Sequence, residues 1–239
     1  MHATIQKPLA EIMSYLKPGE RVFVVGCGNC ATKCHSGGEV EAKEMAERLK
    51  RKGVNVAGWA CTGAGISLCK LAVTKKLLME DNKAATGQAD SFLVLSCGQG
   101  NHAVLDATDG GRIHPGCDTI FGGGTVTDNF IAEYCSLCGE CVIEHTGGLC
   151  PVTLCSKSLL NGPCGGSKNG KCEVDKNRDC GWQLIFDRLN KLGNLGSMAN
   201  YRPPKNNSRR GQPRSLTLGD GEATFRSLSG DRKISSRAW

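Results

Sequence analysis

The sequence predicts an α/β protein, a sheet-and-helix segment followed by a loop-rich region dense in cysteine and an extended basic tail. Three observations predict it. Short apolar runs alternate with helical patterns as far as about residue 125. Eight of the fifteen cysteines then fall between residues 135 and 180. Finally, residues 201–239 carry nine Lys/Arg against three Asp/Glu, with little apolar content. The expected segments are therefore 1–125, 126–200 and 201–239.

Residues 1–16 read as an amphipathic helix, with Ile5, Leu9, Ile12 and Leu16 on one face. Strand-like runs follow at 21–26 (RVFVVG), 54–59 (VNVAGW), 91–96 (SFLVLS) and 118–121 (DTIF). Between them lie helical patterns. Residues 38–52 place Val40, Met45 and Leu49 on one face, and 67–79 do the same with Leu68, Leu71, Ala72 and Leu78. Strands alternating with helices imply parallel pairing through right-handed crossovers, hence a small doubly wound, Rossmann-like sheet.

Cysteines mark the ends of three of these strands: Cys27, Cys61 and Cys97. Ligands of open parallel sheets bind at the carboxyl ends of strands. The first turn adds Cys30 and Cys34, giving Cys-x-x-Cys-x-x-x-Cys where a nucleotide-binding protein would place its glycines. There is no G-x-G-x-x-G, so a dinucleotide site is not supported. A metal or cluster site is expected from Cys27, Cys30, Cys34 and Cys97, with Cys61 the alternative to Cys97. The competing reading is buried thiols or a redox Cys-x-x-Cys. Cys69 and Cys117 are read as core or left unassigned.

The second segment opens with a short helical lead at 128–134 and ends in a helix at 182–192. Between them, Cys135-x-x-Cys138-x-x-Cys141 puts three thiolates on one tight loop, the density a 4Fe–4S cluster requires. Cys150, followed at once by Pro151, has the form of a remote fourth ligand. Cys155, Cys164, Cys172 and Cys180 complete eight thiols, enough for two four-thiolate sites. One partition groups Cys135, Cys138, Cys141 and Cys180, leaving Cys150, Cys155, Cys164 and Cys172. The other is ferredoxin-like and joins Cys150 to the first triplet, although eight residues separate it from Cys141. Dense glycine and proline preclude a large apolar core here, so bound metal would supply folding energy. Two or three 4Fe–4S clusters are expected. Zinc is the rival occupant of a site, since four thiolates also bind Zn²⁺ tetrahedrally.

A disulfide framework is disfavoured. The first residues show no signal-peptide pattern, and the odd cysteine count forbids complete pairing. No apolar run approaches membrane-spanning length. A cytoplasmic, reduced protein without a membrane span is the expectation. The net charge of +7 is segregated, because the first 200 residues are nearly balanced. The tail alone should not fold. It is expected to pack on its own body or to dock on a partner subunit, and nucleic acid is disfavoured for want of an aromatic platform. The five histidines, His2, His35, His102, His114 and His145, form no catalytic grouping that spacing can reveal, and no residue is assigned a catalytic role.

The stretch from Cys135 to residue 189, with LNGPCGG at 160–166 and CGW at 180–182, closely resembles the cysteine-rich family found beside or fused to methylenetetrahydrofolate reductases. CGNCATKCHSGG at 27–38 also fits. The resemblance is to MetV-type small iron–sulphur subunits of acetogen-type reductases. It covers roughly residues 1–200 and not the tail. It implies a non-catalytic, electron-transferring subunit of an oxidoreductase complex. Its partner would be a flavin-containing large subunit that reduces methylenetetrahydrofolate to methyltetrahydrofolate in the reductive acetyl-CoA pathway of an anaerobe. Further electron-donating subunits are implied as additional partners. The alternative is a structural zinc subunit that stabilises or assembles the reductase without carrying electrons.

Overall fold

The computed structural model describes residues 1–210, 214–218 and 223–226. The chain divides into two compact units, the first made by residues 1–131 and the second beginning at Ala132.

In the first unit the order is β1 (His2–Gln6), α1 (Leu9–Tyr15), β2 (Arg21–Gly26), α2 (Cys30–Lys33), α3 (Glu39–Arg51), β3 (Asn55–Cys61), α4 (Leu71–Lys75), α5 (Lys83–Thr86), β4 (Ser91–Leu95), α6 (Gly98–Ala107), β5 (Ile113–Pro115) and β6 (Cys117–Gly122). A π-helical turn, Lys76–Asp81, joins α4 to α5. Four strands make a parallel sheet in the order β3-β2-β4-β5. The two central strands are apolar on both faces, as burial on both sides requires. Val22, Val24, Leu93 and Leu95 pack on one face with Ile12 of α1 and Ala42, Met45, Ala46 and Leu49 of α3. Phe23, Val25, Phe92 and Val94 fill the other with Leu68, Leu78 and Val104. Helices therefore cover both faces, and the α/β architecture read from the sequence is the one observed.

Several local expectations are corrected. Residues 1–16 are not one helix. Pro8 sits at the N-cap of α1, and the residues before it run extended as β1, with Ile5 exposed. The run at 118–121 is not a parallel strand either. It lies in β6, which pairs antiparallel with β1 in a separate ribbon. The fourth parallel strand is β5, whose three residues are too few to show a period. The helical pattern at 67–79 begins only at Leu71. Leu68 is buried ahead of it, where its carbonyl accepts the Thr74 hydroxyl. In α3, Met45 and Leu49 are buried but Val40 is 64% exposed. The lead at 128–134 is not helical. A hairpin of β7 (Gly124–Thr127) and β8 (Phe130–Ala132) occupies it.

The turn after β2 is held close to the sheet. A β-carbon at Gly28 would lie 2.2 Å from the Gly63 carbonyl oxygen, and one at Gly37 would lie 2.1 Å from that of Leu95. Only hydrogen fits at either position. Cys27 N donates to Gly37 O at 2.8 Å and closes the turn. The loop then passes into α3, where the Glu41 carboxylate accepts from Gly38 N at 2.8 Å.

In the second unit a 3₁₀ turn, Ile143–Thr146, precedes α7 (Pro151–Leu154). Loops then run to α8 (Gly181–Lys191), the helix expected near 182–192, followed by a 3₁₀ turn, Leu195–Ala199. Beyond it, β9 (Ser215–Leu218) pairs antiparallel with β10 (Ala223–Arg226). The core is small: Cys180, Trp182, Ile185 and Leu189, flanked by Leu149, Leu159, Leu195 and Met198. Among the described residues, no helix is long and apolar enough to cross a membrane.

Gly37→Ala should destabilise the chain by about 1–3 kcal/mol through overpacking against Leu95. At Gly98, where a β-carbon would meet nothing within 4 Å, Gly98→Ala should change stability by less than about 0.5 kcal/mol. Thermal midpoints of the two variants make the comparison, and equal midpoints would refute the crowding.

Candidate metal centre

All fifteen cysteines are free. The two units hold their sulfurs in different ways. In the first unit the parallel sheet delivers Cys27, Cys61 and Cys97 to the carboxyl ends of β2, β3 and β4. Burial dominates the acid–base chemistry of Cys61 and Cys97. It pushes the Cys61 thiol up to about 12, with Cys27 adding to the effect. It pushes Cys97 up as well, and the neighbouring sulfurs of Cys30 and Cys27 push in the same direction. Cys27, Cys30 and Cys97 are thus electrostatic neighbours, and Cys61 lies beside Cys27. Cys34 accepts from Thr4 N at 3.4 Å. Its sulfur acts on Cys117, whose buried thiol is pushed up to about 12 and donates to Ser36 O at 3.2 Å. Sequence reasoning read Cys117 as core or left it unassigned. It is buried, but it also joins the strand-end sulfurs through its effect from Cys34 and Cys97. Cys69 is exposed.

In the second unit backbone N–H groups turn onto the sulfurs. The loop from Cys135 to Cys141 has left-handed backbone at Leu137 and Gly139, and Leu137 N donates to Cys135 Sγ at 3.4 Å. Gly166 N donates to Cys164 Sγ at 3.5 Å. Cys172 is held below the ordinary thiol range by the Ser156 hydroxyl and by the N–H groups of Val174 and Asp175. Burial pushes the Cys138 thiol up, but the Lys205 ammonium and the Glu140 N–H outweigh it and hold it low. Such N–H···S bonds favour the thiolate, the form that ligates metal.

Helix ends position three more cysteines. Cys150 is the N-cap of α7, with the Thr153 hydroxyl 3.5 Å from its sulfur. Cys155 follows the same helix, and Cys180 is the N-cap of α8. A β-carbon at Gly181 would meet the Leu154 carbonyl carbon at 2.6 Å, so glycine lets α7 and α8 close on each other. That approach gathers Cys155, Cys164, Cys172 and Cys180 around one cavity of about 20 Å³, walled also by Pro163 and Trp182. The grouping differs from the partition that put Cys180 with the Cys135 triplet. It leaves Cys135, Cys138, Cys141 and Cys150 as the other four, the ferredoxin-like alternative.

Among the described residues, no three His, Cys, Asp or Glu side chains converge on a common metal position. The donor chemistry fits a thiolate-held metal nonetheless: eight free thiols, N–H groups aimed at their sulfurs, and two thiols held low. Loops of this kind close on their metal, because binding and folding share one free energy.

The start of the basic tail lies on this unit. Arg202 is buried, and its guanidinium donates to the carbonyls of Leu160 (3.3 Å), His145 (3.2 Å) and Ser197 (3.4 Å). Its backbone exchanges two hydrogen bonds with the Asn161 side chain. Of the two expectations for the tail, packing on its own body holds for this part. Most of residues 211–239 fall outside the described residues.

Residues 114–208 match the family model described as Methylene-tetrahydrofolate reductase C terminal. The matched segment spans all eight cysteines of the second unit and extends into the basic tail, past Arg202 and Lys205. Residues 1–113, with CGNCATKCHSGG, lie outside the match. No curated protein and no solved structure matches the chain.

Arg202→Ala should cost about 2 kcal/mol, because three carbonyls lose a charged donor held by a buried side chain. A denaturant midpoint of the full chain equal to that of the unsubstituted protein would refute the anchoring role.

Proposed function

We propose that this chain is the electron-carrying subunit of a methylenetetrahydrofolate reductase complex. Its partner would be a flavin-containing subunit that reduces methylenetetrahydrofolate to methyltetrahydrofolate. One observation carries the reading: in the family segment, free thiols stand on glycine-rich loops whose N–H groups and one lysine ammonium point at sulfur. A protein using these cysteines for packing alone would bury them as neutral thiols.

Cys135, Cys138, Cys141 and Cys150 would hold a 4Fe–4S cluster. When bound, it supplies a one-electron carrier whose potential responds to hydrogen bonds and burial. The loop fixes three sulfurs within seven residues, and α7 fixes the fourth at its N-cap. Leu137 N and the Lys205 ammonium offset negative charge at the sulfurs. Passing an electron to a flavin needs no acid or base from this chain, only rigid placement near the partner.

A second reading is favoured for Cys155, Cys164, Cys172 and Cys180. These four cysteines line one cavity, and four thiolates are a donor set that binds Zn²⁺ tetrahedrally. A tetrahedral Zn²⁺ held there would be structural, tying α8 to the loops. In the first unit, Cys27, Cys30 and Cys34, with Cys97 or Cys61, would form a third site, where Cys97 or Cys61 would have to lose its proton against burial.

Metal and acid-labile sulfide analysis of the anaerobically purified protein tests the main reading. Iron with matching sulfide, about four of each per cluster, and reduced-cluster EPR signals are expected. Zinc with little iron would refute electron carriage. Cys138→Ala should lose one cluster and most viologen-linked activity of the purified complex, and unchanged iron and activity would defeat the assignment.

Single Cys→Ser substitutions test the grouping. Cys155→Ser, Cys172→Ser and Cys180→Ser should each deplete the same metal, and Cys150→Ser should deplete the one lost from Cys138→Ala. If Cys180→Ser instead tracks Cys138→Ala, the other partition is correct.

A further inference from the structure

The first residues of the basic tail cross the Cys135–Cys141 loop as a strap. Arg202 anchors the strap in the unit, and Pro203 and Pro204 stiffen the step that follows. Lys205 then places its ammonium 2.9 Å from Cys138 Sγ and also on the Glu140 carbonyl oxygen. Asn206 N donates to the Glu140 carboxylate at 2.8 Å. The Asn206 side chain accepts from Ser208 N at 3.1 Å and turns the chain. Arg209 next lies over Gly139, so closely that a β-carbon there would meet the Arg209 β-carbon at 2.8 Å. Finally, the Arg214 guanidinium donates to Leu137 O at 2.8 Å. The strap thus touches all four residues from Leu137 to Glu140.

A strap whose only task was adhesion would pair its lysine with a carboxylate. Glu140 is within reach of the strap, yet its carboxylate is taken by a backbone N–H, and the ammonium goes to a carbonyl and a sulfur. The cation is therefore spent on the sulfur of the middle cysteine of the triplet.

We propose that Lys205 is a positioning residue that raises the reduction potential of the cluster ligated through Cys138. This rests on the cluster reading given above. Reduction adds one negative charge to the cluster. A fixed positive charge and an N–H donor on a ligand sulfur stabilise that added charge, so the reduced form gains relative to the oxidised form. The site is partly solvated, which limits the gain to about tenfold in the reduction equilibrium, or about 59 mV for a one-electron couple. The electron comes from the reductant in the test, and no bond is made or broken on this chain.

EPR-monitored redox titration of the anaerobically purified full chain tests this. The signal followed is the one that Cys138→Ala abolishes. Lys205→Met keeps the aliphatic stem and removes the charge; it should shift the reduction equilibrium about tenfold towards the oxidised form, with iron and sulfide unchanged. Lys205→Arg, which restores a cationic donor, should recover most of the shift. Equal potentials in all three proteins at equal iron content would overturn the proposal and leave the cluster reading standing. Loss of iron from Lys205→Met but not from Lys205→Arg would make the lysine a structural clamp and would also overturn it. An unsubstituted protein without iron would overturn the cluster reading itself, before any potential is compared.

Discussion

Beneath the cysteine-rich loops lies an apolar core that a single helix provides almost alone. Trp182, Ile185 and Leu189 of α8 are buried, Cys180 joins them, and the Trp182 indole N–H is satisfied by Leu159 O at 3.1 Å. Such a core cannot hold some 80 residues of glycine-rich loop by hydrophobic burial. Other interactions must fix the loops: the Arg202 guanidinium on three carbonyls, the α7–α8 approach permitted by Gly181, and N–H groups on sulfur. The polar anchors fix where the loops start and end, and the sulfurs are left to determine how they close. On the proposed reading, metal bound by the thiols would supply the closure that the core does not.

The two units show how one side chain can be set to opposite ends of its chemistry. In the first unit, cysteine sits at the ends of buried strands, and desolvation disfavours the thiolate. Cys117 gives its proton to a carbonyl, as a neutral thiol must. In the second, most cysteines sit on exposed or half-buried loops, and hydrogen-bond donors favour the thiolate of Cys138 and Cys172. Spacing motifs cannot distinguish these cases. Cys-x-x-Cys occurs in both units, at Cys27 and Cys30 and again at Cys135 and Cys138, and the difference lies in the backbone around it.

The parts of the fold legible in the sequence were those with a dense, local signal. Runs at 21–26 and 91–96 became β2 and β4 because they are apolar on both faces, and 38–52 became α3 because its acidic first turn and basic last turn agree with the helix dipole. The misreadings have distinct causes. One proline, Pro8, divides a pattern whose apolar spacing otherwise suits a helix. β6 has a strand's composition, but its partner is β1, more than a hundred residues away, and pairing direction is not a local property. The cysteine positions were plain, but which of them line one cavity depends on α7 and α8 meeting at Gly181, a tertiary contact. Lys205 lies 67 residues from Cys138, and nothing in a basic tail announces which of its cations will meet a sulfur.

The placement of the tail gives its segregated charge a physical reason. Thiolate loops gather negative charge, and a cation that neutralises it is best brought from outside the loop, where it can be added without disturbing ligand spacing. A lysine inside Cys135-x-x-Cys-x-x-Cys would compete for space with the loop's own turns at Leu137 and Gly139. A strap anchored at Arg202 delivers the same charge from above and requires only that Gly139 carry no side chain. The family segment ends at residue 208, beyond Lys205 and short of the rest of the tail. Lys205, whose ammonium meets Cys138, thus lies inside the matched segment, while Arg209 and Arg214, which also touch the cysteine loop, lie beyond it.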